Sequence, residues 1–387
     1  MAALAARWGD VAAAEDALGD ALARALERWP AAGVPERPEA WLMTAARRRL
    51  IDAGRARTTA TKGEAELMRR MDERGSGAAE HWPDERLKLL FACTHPAIPP
   101  ADRAPLMLQV VLGLTAARIA GAFLASPAAM GQRLSRAKAR IRDGEARLEL
   151  PEPEDIPGRT AAVLDAVYAA FTLGSAEPGE GGAGLMEEAI WLAVLVARLA
   201  PDEADAHGLL ALLLITQARA PARRDATGAF VPLGSQDTAL WDEAMMSDGE
   251  AALRHAGTLG QPGRYQIEAA IQAVHADRRR SGRTDRDAVA LLYEGLVALS
   301  PTVGALTARA AAMGEAGEPL DGLAALDAVD PARREAYQPW WAARAHLLAR
   351  AGRRAEAHAA FTRSAGLADD PAVRRHLLGR ASEQIDM

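Results

Sequence analysis

Two short runs of apolar residues at helical spacing lie between residues 115 and 144. Thr115 and Ser126 each precede a run, and a hydroxyl oxygen in that position can accept a hydrogen bond from a free N–H at a helix start. Gly144 is a typical stop. The second run predicts one buried stripe, which consists of Met130, Leu134, Ala137 and Ile141. Two helices with a tight turn at residues 124–126 predict a helix-turn-helix.

Two longer helices are predicted before this motif, over residues 11–29 and 39–53. The inward positions predicted for the first helix are Val11, Leu18, Leu22, Leu26 and Trp29. Those predicted for the second helix are Trp41, Leu42, Ala45, Ala46 and Leu50. A polar stretch with glycines at residues 57–82 predicts a linker, and the helical pattern resumes at residue 83.

An acidic, proline-rich segment at residues 150–158 predicts a boundary, and from residue 159 helix follows helix. The glycine-rich residues 177–184 predict a mobile loop, and residues 219–238 a second irregular stretch. An internal repeat appears at a step of 35 residues, the difference between 341 and 306. Its pairs are Trp341 with Leu306, Ala345 with Ala310, Leu348 with Met313, Gly352 with Gly317, Ala357 with Gly322, and Phe361 with Leu326. The later copy follows the tetratricopeptide pattern, which predicts stacked helix pairs with a concave interaction surface, and an ordinary helical hairpin is the alternative.

The composition changes this picture little and favours an all-α protein. Hydrophobic residues make up 49 % and charged residues 25 % of 387 residues, enough for two or three globular domains. Alanine and leucine dominate, aromatic residues are only 4 %, and runs of β-branched residues are few. We find no apolar run of 18 residues and no signal-peptide pattern, so we expect a cytoplasmic protein without a membrane segment. The single cysteine, Cys93, excludes an internal disulfide.

The net charge of −6 is distributed unevenly along the chain. Residues 1–150 hold 23 Lys+Arg and 19 Asp+Glu, a difference of +4, whereas residues 151–387 hold 23 and 33, a difference of −10. Residues 41–62 contain six basic residues and one acid, and residues 127–142 contain five basic residues and no acid. This distribution predicts a polyanion-binding part joined to a part of different purpose.

The basic residues of the second short helix lie opposite its apolar stripe. In a helix-turn-helix such a face follows the phosphates and base edges of a major groove, and a solvated surface face is the alternative. The residues predicted to contact DNA here are Gln132, Arg133, Arg136, Lys138 and Arg140.

Patterns typical of catalytic or metal sites are few. Cys93 and His95 are two positions apart and point in different directions on a helix, and the histidines from His207 onward lie on separate predicted helices. We therefore expect no catalytic residues, no cofactor and no metal. The irregular stretch is expected to form either an exposed arginine-rich loop or a site for a ligand or partner. Its candidate residues are Arg219, Arg223, Arg224, Gln236 and Asp237.

The order of these parts resembles the sigma factors of the extracytoplasmic-function type, in the subgroup with a long helical, tetratricopeptide-like C-terminal extension. EDALGDALARALERWP (15–30) resembles the region 2 helix that docks on RNA polymerase, and AWLMTAARRRLID (40–52) resembles the following helix. PDERLKLLFACTHPAI (83–98) through RIRDG (140–144) resembles region 4. The segments that resemble the extension are residues 201–219, 235–242 and 263–276.

The resemblance implies a division into five parts. These are a region 2-like part at 1–57 that is short at its N-terminus, a linker at 58–82, a region 4-like helix-turn-helix at 83–149, a linker at 150–158, and the helical extension at 159–387. Departures from the family pattern are Gly19 for Gln, Arg48 for Asn, Arg118 for Glu, and Thr172–Ser175 for Asn-Glu-Gly-Tyr.

The resemblance also implies partners and roles for residues. Glu15, Asp16 and Asp20 would dock on the clamp of core RNA polymerase. The helix-turn-helix would contact the minus-35 element of promoter DNA, and the extension would bind a protein partner. The residues implied at the minus-10 element are Arg47, Arg48, Asp52, Arg55 and Arg57.

Three functional hypotheses remain open from the sequence. The first is a sigma factor whose extension regulates it, through acidic charge that competes with DNA, or contacts another protein. The second is a stand-alone regulator, in which residues 100–147 alone bind DNA and the extension senses a ligand. The third is a helical scaffold or enzyme with a vestigial helix-turn-helix.

Overall fold

The structure, a computed structural model, describes residues 11–35, 37–58, 82, 84–144, 146, 149–177 and 179–385. Helix makes up 76 % of it and the described residues form no strand, so the predicted all-α class is confirmed. Within the described part, no helix combines the length and the apolarity needed to cross a membrane.

The chain divides into two compact units. The first is Met1–Leu173 with Arg198–Ala200, and the second is Gly174–Ala197 with Pro201–Met387. The helices that begin in the first unit are α1 (Val11–Ala32), α2 (Pro38–Thr58), α3 (Glu85–Ala92), α4 (Pro100–Val110), α5 (Ala116–Ala122), α6 (Pro127–Arg142) and α7 (Ile156–Ala176). The division therefore falls within α7 rather than at residues 150–158, where a short 3-10 turn leads directly into that helix.

The predicted linker at residues 58–82 lies largely outside the described residues. Only Thr58, the last residue of α2, and Trp82 are described.

Helix α1 packs against α2 through alanines and not through the predicted leucines. Its buried side chains, at helical spacing, are Ala14, Ala17, Ala21 and Ala25. Leu22 and Leu26 are 46 % and 77 % exposed, so the prediction that they turn inward was wrong. The small methyl groups of these alanines let the backbones of α1 and α2 approach closely. The two leucines lie on the other face of α1 and take no part in this contact. Ala46 and Leu50 of α2 are buried as predicted.

Helices α4, α5 and α6 pack together, with α5 and α6 forming the predicted helix-turn-helix. The Thr115 hydroxyl accepts a hydrogen bond from the Arg118 N–H at 3.3 Å, and the Ser126 hydroxyl accepts one from the Ala129 N–H at 3.2 Å. Leu124, in the turn, adopts a left-handed backbone with φ of 48°. The four residues of the predicted stripe on α6 are buried: Met130, Leu134, Ala137 and Ile141. Both caps and the buried face are therefore confirmed.

The glycine-rich residues 177–184 do not form the predicted loop, because α8 (Glu180–Leu199) begins within them. A Cβ placed on Gly182 would lie 2.1 Å from the Glu177 carbonyl oxygen and 2.6 Å from that of Gly174. The absence of a side chain thus lets the start of α8 approach the end of α7. Here glycine serves close packing, and the prediction of a mobile loop was wrong for that reason.

The second unit continues from α8 as a succession of helices. They are α9 (Ala204–Gln217), α10 (Glu243–Thr258), α11 (Arg264–Ala276), α12 (Arg278–Ser281), α13 (Arg286–Leu299), α14 (Val303–Ala316), α15 (Pro319–Asp327), α16 (Pro331–Arg334), α17 (Gln338–Arg350), α18 (Arg354–Leu367) and α19 (Pro371–Glu383). Helix α9 packs against both α10 and α11. The segment 218–242 between α9 and α10 holds 3-10 turns and an isolated β-bridge between Arg224 and Phe230, in agreement with the predicted irregular stretch.

Both copies of the predicted repeat are helix pairs, α14–α15 and α17–α18. Each pair packs internally, and α17 also packs on α14 and α15. The repeat-related Gly317 and Gly352 lie between the helices of their pairs. A Cβ on Gly314 would meet the Leu347 side chain at 2.4 Å, so the absence of a side chain there allows the first helices of the two pairs to approach closely. The 35-residue step therefore corresponds to one helix pair.

Candidate functional site

The outer face of α6 presents a polar stripe. Gln132, Arg136 and Arg140 are exposed and follow one another at steps of four residues, so they lie on the same side of the helix. Arg140 Nη1 donates to the Ala97 carbonyl oxygen at 3.2 Å. Gln132 and Arg136 make no side-chain hydrogen bond or ion pair with the residues that the structure describes, and α6 carries no acid. The stripe is positively charged and faces solvent, as contact with a polyanion requires.

Arg133, the neighbour of this stripe, is held by the protein itself. Its Nε donates to Asp102 Oδ1 at 2.8 Å, and its Nη2 donates to the Ala101 carbonyl oxygen. The two side chains are only 23 % and 14 % exposed, so this ion pair joins α6 to the start of α4 in a partly buried position. The guanidinium of Arg133 therefore has a structural role.

Lys138 and Glu15 were predicted for different partners, and the structure pairs them with each other. Lys138 Nζ lies 3.0 Å from Glu15 Oε2 and 3.2 Å from Glu15 Oε1, which connects α6 to α1. Both side chains are partly exposed. Such pairs contribute roughly 0–1 kcal/mol, so either group could exchange this contact for another.

The three adjacent arginines of α2, residues 47–49, lie at its surface. Arg47 and Arg48 are exposed, and the Nε of Arg49 lies 2.7 Å from Asp20 Oδ2. The other residues predicted for the minus-10 element are in the last part of α2, where only the backbone is described: Asp52, Arg55 and Arg57. Their side-chain roles stay predictions.

Helix α1 combines an apolar and an acidic stripe on its exposed side. Leu22 and Leu26 are one turn apart, and Asp16 and Asp20 form a neighbouring exposed row. Exposed leucines side by side are typical of a surface that a partner covers. The sequence analysis missed this surface because the leucines fit an inward-facing periodicity as well as an outward-facing one.

The residues predicted in the irregular stretch separate into two groups. Arg224 Nη2 pairs with Asp370 Oδ2 at 2.6 Å, and Asp237 caps a 3-10 turn through the Ala239 N–H. Arg219 and Gln236 are instead buried, at 5 % and 7 % exposure.

Arg223 lies beside Arg219 in a largely buried position. Its Nη1 donates to the Ser175 hydroxyl at 2.9 Å, and its Nη2 to the Thr216 carbonyl oxygen at 3.2 Å. The structure brings only part of this segment together, and its role as a site for a ligand or partner stays a prediction.

Two basic residues from α11 and α12 complete this buried group. Arg278 donates to the carbonyl oxygens of Leu233, Gly234 and Gln236 at 2.9–3.0 Å, and its guanidinium lies 5.5 Å from the centre of the Trp241 ring. Burial, together with the charges of Arg219 and Arg278, lowers the pKa of His275 from 6.5 to about 4. Sequence analysis missed both residues because they lie far along the chain from the arginines they approach.

Arg219, Arg223, Arg278 and His275 form a group that we call the arginine cluster. The positive charges of its arginines are crowded together. Burial, followed by repulsion from Arg223 and Arg278, lowers the pKa of Arg219 to about 10. Burial also lowers the pKa of Arg223. Arg219 and Arg223 nevertheless remain protonated at neutral pH.

Cys93 and His95 do not form a reactive pair. Cys93 is fully buried at the end of α3, and burial raises its pKa to about 12, which disfavours the thiolate. The His95 Nδ1 accepts a hydrogen bond from the Ala97 N–H at 3.2 Å. Among the described residues, no three His, Cys, Asp or Glu side chains are grouped in a way that could hold a metal ion.

Comparisons with known proteins place the chain in a family without a described activity. Residues 159–257, which include Arg219, Arg223 and Gln236, match a family described as "Family of unknown function (DUF6596)". The uncharacterized protein R00370 of Rhizobium meliloti (strain 1021) is 40 % identical over 378 residues, which cover 95 % of this chain and 89 % of that protein. No solved structure gives a significant match. The chain therefore belongs to the same family as the uncharacterized protein R00370, along nearly its whole length.

Proposed function

We propose that this protein is a sigma factor of the extracytoplasmic-function type, which directs core RNA polymerase to specific promoters in the cytoplasm and carries out no chemistry itself. The observation that carries the proposal is the exposed stripe of Gln132, Arg136 and Arg140 on the second helix of a helix-turn-helix. Residues near the N-terminus of such a helix contact base edges, and a bidentate arginine–guanine contact contributes roughly 1–3 kcal/mol of discrimination. Gln132 and Arg136, one turn apart on the exposed face of α6, are the leading candidates for the minus-35 contact, because neither makes a side-chain hydrogen bond or ion pair within the described residues.

A second basic surface supports a sigma factor over a regulator that binds a single site. Arg47 and Arg48 are exposed on α2, in a helix that differs from the helix-turn-helix in sequence and packing. Two promoter elements need two such surfaces, whereas a stand-alone regulator needs one per chain. The role of α2 at the minus-10 element rests on the resemblance of residues 40–52 to sigma region 2.

The exposed face of α1 supports docking on a large protein partner. Leu22 and Leu26 offer an apolar stripe, and the adjacent Asp16 and Asp20 offer negative charge to a basic surface. In this proposal the clamp of core RNA polymerase covers both stripes, and the extension regulates the sigma factor or binds a further protein.

Run-off transcription with core RNA polymerase on a promoter library tests the proposal. We expect new transcripts only when the protein is present, and a loss of about 5–150-fold in initiation at selected promoters for Arg136→Gln, since a base contact of 1–3 kcal/mol corresponds to that range. Arg142→Gln is the matched control, because Arg142 is exposed on the same helix and pairs with Asp143.

The outcomes separate the two leading functions. If the protein shifts duplex DNA without polymerase, dimerises and yields no transcript, the stand-alone regulator replaces the sigma factor. If it neither shifts DNA nor yields transcripts, both proposals fail. Leu26→Glu adds a test of docking, since it should abolish binding to core polymerase and leave the helix-turn-helix intact.

A further inference from the structure

The arginine cluster concentrates positive charge in the protein without negative charge to balance it. Arg219, Arg223 and Arg278 make no ion pair with any carboxylate of the described residues, and their hydrogen bonds go to neutral oxygens. Arg219 is only 5 % exposed. Buried charges are normally paired, because removing an ion from water costs several kcal/mol even after relaxation.

The cluster also contains buried donors without acceptors. Arg219 Nη1 and the indole Nε1 of Trp241 are inaccessible to solvent and have no hydrogen-bond partner among the described residues. Trp241 packs in a small core with Ala218 and Ala222, which precede and follow Arg219 in the chain, and with Ala276, which follows His275. Most buried polar groups in proteins are hydrogen-bonded, so the unpartnered Arg219 and Trp241 donors require an explanation, as does Gln236 Oε1, a buried acceptor without a partner among the described residues.

One ligand would account for both the excess charge and the unused donors. An oxyanion accepts several hydrogen bonds at once, and guanidinium groups bind its oxygens in a charge-assisted, often bidentate manner. Gln272 already occupies Arg219 Nη2, which leaves Nη1 directed at a further acceptor. Three cations balance a doubly charged phosphate group better than a single carboxylate.

We propose that the arginine cluster is a binding site for the phosphate group of a small molecule, with Arg219 as its central contact. Arg219, Arg223 and Trp241 lie within the residues that match a family of unknown function, whereas His275 and Arg278 follow that range, and the site is independent of the DNA-binding proposal. Arg223, Arg278 and the Trp241 N–H surround the bound phosphate. The extension is then the ligand-responsive part of the protein.

Titration of the full-length protein with inorganic phosphate tests the proposal, by calorimetry and by thermal unfolding against chloride at equal ionic strength. We expect a dissociation constant of about 1 mM or tighter and a melting temperature that rises with phosphate concentration. A phosphomonoester, glycerol 3-phosphate, is compared with free phosphate. Tighter binding of the ester identifies a phosphorylated metabolite as the source, and tighter binding of phosphate identifies the free ion.

Arg219→Met should weaken phosphate binding at least about tenfold, because it removes a charge-assisted contact. Arg283→Met is the matched control, because Arg283 is an exposed arginine of the same unit outside the cluster. If Arg219→Met does not fold, Arg219→Lys replaces it in this test, because lysine keeps the positive charge and removes the paired N–H donors of the guanidinium. The wild type provides a further readout, since the ring signals of His275, identified by their absence in His275→Gln, should shift on phosphate addition.

Three results would overturn the proposal. One is a wild-type protein that gives no heat and the same melting temperature in phosphate and chloride. Another is unchanged phosphate affinity in a folded Arg219 variant. The third is a His275 signal that does not move while phosphate binds, which would place the ion elsewhere.

Discussion

The same side chain has three different roles in this protein, according to its surroundings. Arg136 is exposed and free to contact a partner, Arg133 forms a partly buried ion pair with Asp102, and Arg219 is buried without a carboxylate. The sequence shows three arginines in helical or irregular segments and does not distinguish these states. Solvent access and the nearest acceptor decide which arginine stabilises the fold and which binds a ligand.

The Arg133–Asp102 pair should be structural. Asp102→Ala leaves a partly buried guanidinium unpaired, so we expect the free energy of unfolding to fall by about 1–3 kcal/mol in urea unfolding. Arg133→Ala should have a similar effect, and the double variant should lose less than the sum of the two. Arg142→Ala, at an exposed pair, should change stability by less than about 0.5 kcal/mol. Strict additivity of the Arg133 and Asp102 effects would contradict a structural pair.

His275 should make stability depend on pH. Its pKa of about 4 in the folded protein lies below the ordinary 6.5, so the unfolded chain binds more protons between these values. Stability is therefore complete above pH 6.5 and falls as the pH drops toward 4. A shift of this size corresponds to at most about 3 kcal/mol.

Urea unfolding between pH 7.5 and 4, compared with His275→Gln, measures the contribution of His275. The wild type should lose more stability than the variant across this range. Parallel curves would show that His275 is not the group that titrates.

At the scale of elements, local signals predicted the helix-turn-helix well. Thr115, Ser126 and the apolar stripe of α6 act within a few residues of one another, so the sequence contains the whole determinant. The same kind of signal gave the wrong inward face for α1, because its row of leucines and its row of alanines have the same helical period. The choice between them depends on α2, whose close approach favours the alanines.

The arginine cluster shows the same limit more strongly. The sequence indicated Arg219 and Arg223, whereas Arg278 and His275 come from α11 and α12 and are brought there by the packing of α11 on α9. No local pattern marks such a long-range site.

Two glycines of α8 offer a matched test of close packing. Gly182→Ala places a methyl group 2.1 Å from the Glu177 carbonyl oxygen, so we expect destabilisation by about 1–3 kcal/mol. Gly184 has nothing within 4 Å of its Cβ position, and Gly184→Ala should stabilise the helix by up to about 1 kcal/mol. Thermal unfolding of both variants measures this difference. Equal shifts in melting temperature would mean that both glycines serve chain flexibility rather than close packing.

At the scale of the whole molecule, the division after Leu173 guides how the two units can be studied separately. A cut at residue 158 removes the part of α7 that belongs to the first unit. The charge difference between residues 1–150 and 151–387, +4 against −10, suggests that the extension weakens DNA binding.

A fragment of residues 1–173 should accordingly bind duplex DNA more tightly than the full chain at low salt. The difference should shrink as salt rises, because screening shortens the range of electrostatic repulsion to about 8 Å at physiological ionic strength. Circular dichroism verifies that the fragment is folded. Equal affinities of a folded fragment and the full chain at several salt concentrations would exclude masking by the extension.

The stacked helix pairs α14–α15 and α17–α18 have a consequence for how the extension can change in evolution. Each pair is a unit whose interface with the next is made by similar helices at a 35-residue step. If one whole pair were inserted or lost, the neighbouring pairs would still meet the same kind of packing surface. Insertion of a single helix would instead exchange the surfaces of the first and second helices along the stack. Relatives should therefore differ in length here by whole pairs, and the reach of the extension would change in steps rather than continuously.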